Sequence, residues 1–111
     1  MQRRFRLRHN RDFQRVRSTG HTWSHPYLVL GVAPNGLPHN RYGIITPRRL
    51  GTAVARNRIK RRIREAVRHW HSRLAPGHDV VLIARPAGSH CAYPELLEAA
   101  RSLFQRAGLL L

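Results

Sequence analysis

Residues 56–68, RNRIKRRIREAVR, constrain the fold of this chain more than any other segment. Seven of these thirteen residues are basic and one is acidic. Projected at about 100° per residue, the apolar residues here and just beyond fall on one stripe roughly 100° wide. They are Ile59, Ile63, Ala66, Val67, Trp70 and Leu74. The pattern predicts a helix that begins near Thr52 or Ala53, ends at Ser72 or Leu74 and packs this stripe against a sheet.

The opposite side of this helix carries a row of basic and polar residues. Four of them fall within roughly 60° of one another and a fifth lies at their edge: Asn57, Arg61, Arg64, Arg68 and Lys60. Like charges at these spacings destabilise a helix by roughly a few tenths of a kcal/mol per pair, and Glu65 is expected to lie too far around the helix to compensate. Solvated faces usually mix charge signs, so the row indicates an anionic ligand. Arg56 and Arg58 lie in the first turns, where free backbone N–H groups also favour phosphate.

The net charge narrows the class of ligand. The sequence has 21 Lys and Arg against 5 Asp and Glu, a formal net charge of +16 and a pI near 12. A compact domain tolerates this self-repulsion best when a polyanion neutralises it, and nucleic acid is the commonest such partner. All but one of the basic residues are arginine; its planar fork suits phosphate, but a codon bias of the genome explains the preference equally well.

An anionic membrane is the competing partner. No apolar run approaches the roughly 18 residues of a spanning helix, and the basic start of the chain does not lead into the apolar core of a signal peptide. Cys91 is the only cysteine, which excludes an internal disulfide and fits a reducing compartment. We therefore expect a cytoplasmic protein with no membrane partner.

Local signals predict the remaining elements. Asn10 as N-cap and Gly20 as stop bound a short helix over residues 10–19. A core helix has Pro94 in its first turn and stops at Gly108, and strands are predicted at residues 27–32, 42–46 and 79–84, with a weaker one at 21–24. The run DVVLIA at 79–84 is typical of a strand that is buried on both faces. At 111 residues, the chain predicts a single α+β domain, residues 1–111, built as a two-layer sandwich of helices against a small sheet.

No set of residues indicates catalysis by the protein itself. Nucleases that act alone usually need carboxylates that hold two metals, or a histidine and an acid beside the phosphate. The five acidic residues are scattered along the chain: Asp12, Glu65, Asp79, Glu95 and Glu98. His69 and His71 point to different sides of a helix, and one cysteine does not suit a structural zinc site. We therefore expect no metal and no cofactor bound by the protein alone.

The basic segment resembles a known family. ARNRIKRRIREAVR, residues 55–68, resembles the RNR motif of the protein subunit of bacterial ribonuclease P. The similarity covers nearly the whole chain, because the flanking segments fall in family order: Asp12-Phe13 and Val16, Leu28-Val29-Leu30, Tyr42-Gly43-Ile44, Arg48-Arg49-Leu50-Gly51, Asp79 and Ile83-Ala84-Arg85-Pro86.

The resemblance implies a fold and a function. The fold has the order α-β-β-β-α-β-α, with the basic helix in a left-handed crossover between parallel strands, as in the second domain of ribosomal protein S5. Handedness rules alone would predict the other hand. The function is that of a protein joined to a large catalytic RNA, which cleaves precursor tRNA at the mature 5′ end with Mg²⁺ held mainly by the RNA. The implied partners are the catalytic RNA and precursor tRNA, with no obligate protein partner.

The same resemblance assigns roles to residues. The catalytic RNA is expected to contact Arg56, Asn57, Arg58, Lys60, Arg61, Arg64 and Arg68. A groove between the first helix and the sheet takes the single-stranded 5′ leader, with contacts from Phe13, Arg17, Arg48 and Arg49. Phe13 either stacks on an unpaired base or is an ordinary core residue. Arg17 and Gly31 stand where the family often has aromatic residues, so less stacking surface is expected.

Two other functions fit the composition equally well. One is a structural RNA-binding protein of the ribosomal type, and the other is a DNA-binding or nucleoid protein. Charge alone does not separate them from a ribonuclease P subunit. The motif and its flanks favour the ribonuclease P subunit.

Overall fold

The computed structural model describes residues 2–111 and confirms the predicted order of elements. Within this range the helices and strands are α1 (Asn10–Thr19), β1 (His21–Ser24), β2 (Leu28–Pro34), β3 (Arg41–Ile45), α2 (Ala53–Trp70), β4 (His78–Ala84) and α3 (Tyr93–Arg106). Short 3₁₀ turns lie at Arg3–Phe5, Arg48–Leu50, His71–Arg73 and Pro86–Ser89. None of the helices in residues 2–111 is both long and apolar enough to cross a membrane.

The strands form one mixed sheet in the order β1-β2-β4-β3. β2 pairs antiparallel with both β1 and β4, whereas β3 pairs parallel with β4, from Arg41 opposite Asp79 to Ile45 opposite Ile83. Parallel neighbours cannot be joined by a tight turn, so the chain crosses from β3 to β4 through α2. The basic helix therefore connects two parallel strands, as the resemblance implies, and the left-handed sense of the crossover stays a prediction.

Helices α2 and α3 cover one face of the sheet and enclose the main core. The whole apolar stripe of α2 is buried there, as its spacing predicted. Trp70 at the end of α2 donates a hydrogen bond from Nε1 to the Leu97 carbonyl of α3, at 3.1 Å. This bond satisfies the polar edge of a large buried ring and fixes the two helices against each other.

Helix α1 packs on the other face of the sheet over a smaller cluster. Its Val16 is fully buried there together with Leu7, Ala33 and Val81. Successive residues of a strand point to opposite faces, so Val81 faces α1 while its neighbours Val80 and Leu82 face the main core. β4 is thus buried on both sides, as the run DVVLIA predicted.

A buried carboxylate fastens α1 to the sheet. Asp79 of β4 is fully buried, and Arg41 donates to both of its oxygens, at 2.9 Å from Nε and 2.7 Å from Nη2. Arg15 of α1 donates to the same carboxylate and also to the Pro34 carbonyl at 2.8 Å. Asn35 donates from Nδ2 at 3.0 Å. The hydrogen bond to Asp79 raises the pKa of the Arg41 guanidinium above its ordinary value. These partners compensate a charge that would otherwise be costly to bury.

Several boundaries differ from the sequence prediction. Asn10 is the first helical residue of α1 and not its N-cap; His9 takes the cap position without a side-chain hydrogen bond. α2 ends at Trp70, and the 3₁₀ turn His71–Arg73 carries the chain on to the buried Leu74. The strands begin and end within one or two residues of the predicted positions, because backbone pairing with neighbours decides where they stop.

Candidate nucleic-acid interface

The side of α2 that faces away from the sheet carries the predicted basic residues. Asn57, Arg58, Arg61 and Arg68 are exposed, whereas Arg56, Lys60 and Arg64 are half-buried. We call these seven residues the basic face. The hydroxyl of Thr52 caps the helix by accepting a hydrogen bond from the Ala55 N–H at 3.2 Å. The cap sets the start of α2, so that the positive end of its dipole lies beside the first residues of the basic face.

The basic face keeps most of its charge uncompensated within the protein. Among residues 2–111, no ion pair involves Arg56, Arg58, Lys60, Arg61 or Arg64. The expectation for Glu65 is wrong in one respect: its carboxylate accepts a hydrogen bond from Arg68 at 3.2 Å, because residues three apart are neighbours on a helix surface. Both side chains are more than half exposed, and such pairs contribute little. The pair leaves the rest of the row available to an anion.

Arg62 differs from the other basic residues of α2. Its guanidinium donates to the Cys91 carbonyl, in the segment that leads into α3. This arginine therefore joins two parts of the fold. The helical projection had already left Arg62 out of the row, and its hydrogen bond to Cys91 agrees with a position between α2 and the start of α3.

A groove runs between α1, β3 and the basic face. One depression, of about 500 Å³, is lined by Arg3, Arg6, Leu7, Arg8, Phe13, Tyr42, Gly43, Ile44, Lys60 and Arg64. A second, of about 290 Å³, is lined by Asn10, Phe13, Gln14, Arg17, Ile44 and Ile45. We call the two together the Phe13 groove, since Phe13 lines both. Its walls bring a residue of the predicted leader set beside Lys60 and Arg64 of the basic face.

Phe13 lies between the two roles that its sequence position allowed. The ring is half-buried and packs with the cluster under α1, yet it lines both depressions of the groove. It rests directly on Gly43 of β3, where the Cβ of any other residue would overlap the ring. The absence of a side chain at Gly43 therefore lets one edge of the phenylalanine pack on the sheet while the rest borders the groove.

The first residues of the chain form a wall of the groove that sequence reasoning missed. Leu7 donates its backbone N–H to the Tyr42 carbonyl at 2.8 Å, and Arg6 forms an isolated parallel bridge with Tyr42. The segment thus runs beside β3 and places Arg3, Arg6 and Arg8 along the groove. The basic run at positions 3–8 was the available signal, but nothing local to it predicts pairing with β3.

Comparison with known proteins identifies the family. The family model described as Ribonuclease P matches residues 1–108. The chain belongs to the ribonuclease P protein family. A relative from Roseiflexus sp. (strain RS-1), named ribonuclease P protein component, is 49% identical over 111 residues, which cover 99% of this chain and 91% of the relative. Another of the same name, from Herpetosiphon aurantiacus, is 49% identical over 109 residues, covering 98% and 89%.

Solved ribonuclease P proteins share the fold. The protein from Staphylococcus aureus superposes with a TM-score of 0.88 at 30% identity, covering 96% of this chain and 98% of that chain. The protein from Thermotoga maritima superposes with a TM-score of 0.84 at 31% identity, covering 91% and 96%. The α+β architecture and its order of elements are therefore those of ribonuclease P proteins.

Arg17 and Gly31, the two departures from the expected ribonuclease P pattern, lie in different environments. Arg17 is exposed and lines the smaller depression of the Phe13 groove, where it presents a cation instead of a ring. Gly31 is buried in β2, and a Cβ there would approach Val16 of α1 to 3.2 Å. The side chain of any larger residue here would have to be accommodated by a shift of Val16. Gly31 therefore lets α1 pack closely on β2 and contributes no ring for stacking.

The remaining two predicted leader residues stand apart from the groove. Arg48 and Arg49 are exposed on the 3₁₀ turn that precedes α2, and they line neither depression. Gly51 follows with φ of 129°, a conformation that favours glycine, and turns the chain into the helix. The basic pair therefore extends the positive surface beyond the first turn of α2.

The acidic residues are engaged in structure or lie on the surface. Asp79 is buried among its arginine and asparagine partners, and Glu95 accepts hydrogen bonds from the Ala92 N–H at 3.2 Å and the Tyr27 hydroxyl at 3.0 Å. Glu98 pairs with Arg101, which lowers the pKa of its carboxyl group. Within residues 2–111, no three histidine, cysteine or acidic side chains form a cluster that could hold a metal.

Proposed function

We propose that this ribonuclease P protein binds the catalytic RNA through its basic face and guides the 5′ leader of precursor tRNA along the Phe13 groove. It thereby assists the endonucleolytic removal of the leader in the cytoplasm. Its family makes it the protein component of ribonuclease P, a part of that enzyme and a partner of its RNA. The residue assignments, the leader contact and the catalytic role of the RNA are the proposal.

One observation carries the assignment. The larger depression of the Phe13 groove is lined by Phe13 from α1 and by Lys60 and Arg64 from α2. A strand in the groove would therefore lie beside RNA held on the basic face. The protein would hold the two RNAs in contact, so that the bound leader positions the cleavage site of the precursor tRNA at the catalytic RNA.

Phosphate contact explains the composition of the basic face. Its guanidinium groups extend over roughly 15 Å of helix, which suits several phosphates of a folded RNA. Arg58, Arg61 and Arg68 are exposed, so their guanidinium groups can donate to phosphate oxygens from the surface. Each phosphate neutralised in this way releases counterions and steepens the dependence of binding on salt.

The groove suits a single strand better than a duplex. Phe13 presents part of one ring for stacking, while Arg6, Arg8 and Arg17 supply cations along the walls. Stacking on an aromatic ring tolerates any base, and cations follow the backbone whatever its sequence. Such a combination fits leaders that differ in sequence from one precursor tRNA to the next.

We place the catalytic centre in the RNA. The protein's acids are engaged as described above, and Mg²⁺ held mainly by the RNA would activate the attacking water and stabilise the leaving oxygen. The protein contributes positive charge where two polyanions meet, which lowers the concentration of Mg²⁺ needed to bring them together.

A cleavage assay at low Mg²⁺ tests the proposal. The purified protein is added to ribonuclease P RNA and a precursor tRNA, and production of the mature 5′ end is followed with leaders of increasing length. We expect faster cleavage with the protein, and a larger benefit for leaders long enough to enter the groove. A structural RNA-binding or DNA-binding protein of similar charge would give no such dependence on leader length. Cleavage by this protein and the RNA that is independent of leader length would overturn the proposal.

A further inference from the structure

A second depression with aromatic walls lies at the carboxyl end of α2. It encloses about 400 Å³ and is lined by Gln2, Phe5, Tyr42, Arg68 and His71. We call it the Phe5 pocket. It shares only Tyr42 with the Phe13 groove. Its volume falls within the range of roughly 300–1,000 Å³ that is typical of small-molecule sites.

Three rings form its apolar surface. The Phe5 and His71 ring centroids are 4.7 Å apart at 52°, and the Tyr42 and His71 centroids are 5.4 Å apart at 79°. Tyr42 is buried, whereas Phe5 and His71 are half-buried and border the space. Flat apolar walls at inclined angles suit a flat ligand with polar edges, and an unstacked nucleobase has that shape.

A chain of hydrogen bonds holds these walls in place. Asn40 accepts the His78 N–H on Oδ1 at 2.8 Å, so its Nδ2 is the donor to the Tyr42 hydroxyl at 3.3 Å. The Tyr42 hydroxyl and Nδ1 of His71 then share a hydrogen bond at 2.7 Å. Burial raises the pKa of Tyr42 to about 12 and lowers the pKa of His71. The lowered pKa favours the neutral form of His71, and its Nε2 has no protein partner among the hydrogen bonds of residues 2–111, so it can bond to the polar edge of a ligand.

The charge at the rim fits a phosphate. Arg68 lines the pocket and belongs to the basic face, one helical turn or about 6 Å beyond Arg64. Its ion pair with Glu65 is exposed, so a phosphate can compete for the guanidinium at little expense. The Gln2 amide adds a donor and an acceptor at the same rim.

We propose that the Phe5 pocket holds one unpaired base of ribonuclease P RNA, while the phosphate of that nucleotide contacts Arg68. The inference rests on the function proposed above and deepens it, because it adds a base contact to a face otherwise assigned to phosphates. The catalytic RNA is the expected source, since Arg68 continues the basic face. The Phe13 groove, in contrast, shares only Tyr42 with this pocket.

The first test removes the aromatic ring of Phe5 and keeps an apolar side chain at that position. Phe5→Leu should weaken binding of ribonuclease P RNA by about five- to twenty-fold at every salt concentration, with an unchanged slope against salt, because a stacking contact is lost and no phosphate contact is. Tyr27→Leu is the matched control. Tyr27 is also a half-buried aromatic residue of the main cluster, but it contacts Glu95 of α3, and its loss should leave the affinity unchanged. Thermal unfolding of both variants checks that they fold.

The second test observes the pocket directly. Phe5→Trp places an indole there, and its emission, measured as the difference from the unchanged protein, should be quenched by ribonuclease P RNA alone. Quenching that appears only after precursor tRNA is added would overturn the assignment to the catalytic RNA. Unaltered affinity of Phe5→Leu with unaltered emission of Phe5→Trp would overturn the pocket while leaving the proposed function standing. Failure of the unchanged protein to bind the RNA would overturn both.

Discussion

Single residues in this protein divide the work between stability and binding. Val16 and Asp79 are fully buried and hold α1 on the sheet, whereas Arg61 and Arg68 are exposed on α2. Phe13 belongs to both groups, because its ring packs on Gly43 and also borders the groove. Its two roles can be separated experimentally only by a substitution that keeps the packing and removes the aromatic face.

Phe13→Leu is such a substitution. The leucine retains most of the apolar contact, so the free energy of unfolding should fall by about 1 kcal/mol or less. Stacking is lost, and the assembled enzyme should bind precursor tRNA about five- to twenty-fold more weakly. The affinity for the same tRNA without its leader is the internal control and should not change. Marked unfolding with no change in the ratio of the two affinities would identify Phe13 as a core residue.

For Asp79 we predict the opposite result, a large loss of stability. Asp79→Ala leaves Arg15 and Arg41 without their carboxylate, and both arginines are still partly exposed, 35% and 25% by side chain, so water relieves some of the penalty. We expect unfolding in urea to require about 2–4 kcal/mol less. Glu98→Ala removes an exposed partner of Arg101 and should give no measurable change. A wild-type midpoint for Asp79→Ala would show that the network does not secure α1.

At the scale of elements, α2 combines two periodic faces on one helix. The buried stripe was predictable from spacing alone, because residues three and four apart share a side whatever the rest of the chain does. The buried side of α3 was likewise predictable from the spacing of its apolar residues. The burial of β4 on both faces was predictable from its continuous apolar run. The resemblance to the family also predicted the order of helices and strands, which the structure confirms.

Contacts between elements were not predictable in the same way. The pairing of Leu7 with Tyr42 and the bonds from Arg15 to Asp79 join residues that are far apart in sequence, and no local pattern signals them. The sequence predicted β1 only weakly, because its residues are mostly exposed. Its extended conformation is fixed by backbone pairing with β2. The Phe5 pocket depends on the same long-range pairing of the first residues with β3.

The basic face should act as one electrostatic unit. Replacing Arg61 and Arg64 together by alanine removes two phosphate contacts, so the slope of the logarithm of RNA affinity against the logarithm of salt should decrease in magnitude by about two. Stability should change little, because neither side chain has an ion pair within residues 2–111. Arg101→Ala with Arg106→Ala removes the same charge from α3 and should leave the slope unchanged. Equal slopes for the first variant and the wild type would exclude direct phosphate contact.

At the scale of the whole molecule, repulsion between the positive charges lowers the stability of the folded state. A net charge of +16 on 111 residues places many guanidinium groups close together, and only some have carboxylate partners within residues 2–111. Self-repulsion of this kind favours the expanded chain. A polyanion that binds the folded form and not the unfolded form reverses the effect, so folding and RNA binding are thermodynamically linked.

Sulfate provides the simplest measurement of this linkage. At ten times its dissociation constant, an anion bound only to the folded protein stabilises it by about 1.4 kcal/mol, which corresponds to a rise in Tm of roughly 5–10 °C for a domain of this size. Sodium chloride at equal ionic strength screens the charges without occupying the sites, and should raise Tm by less. The variant lacking Arg61 and Arg64 should lose part of the sulfate effect and keep the chloride effect. If sulfate and chloride raise Tm equally in both proteins, general screening suffices and the basic face binds no anion in the absence of RNA.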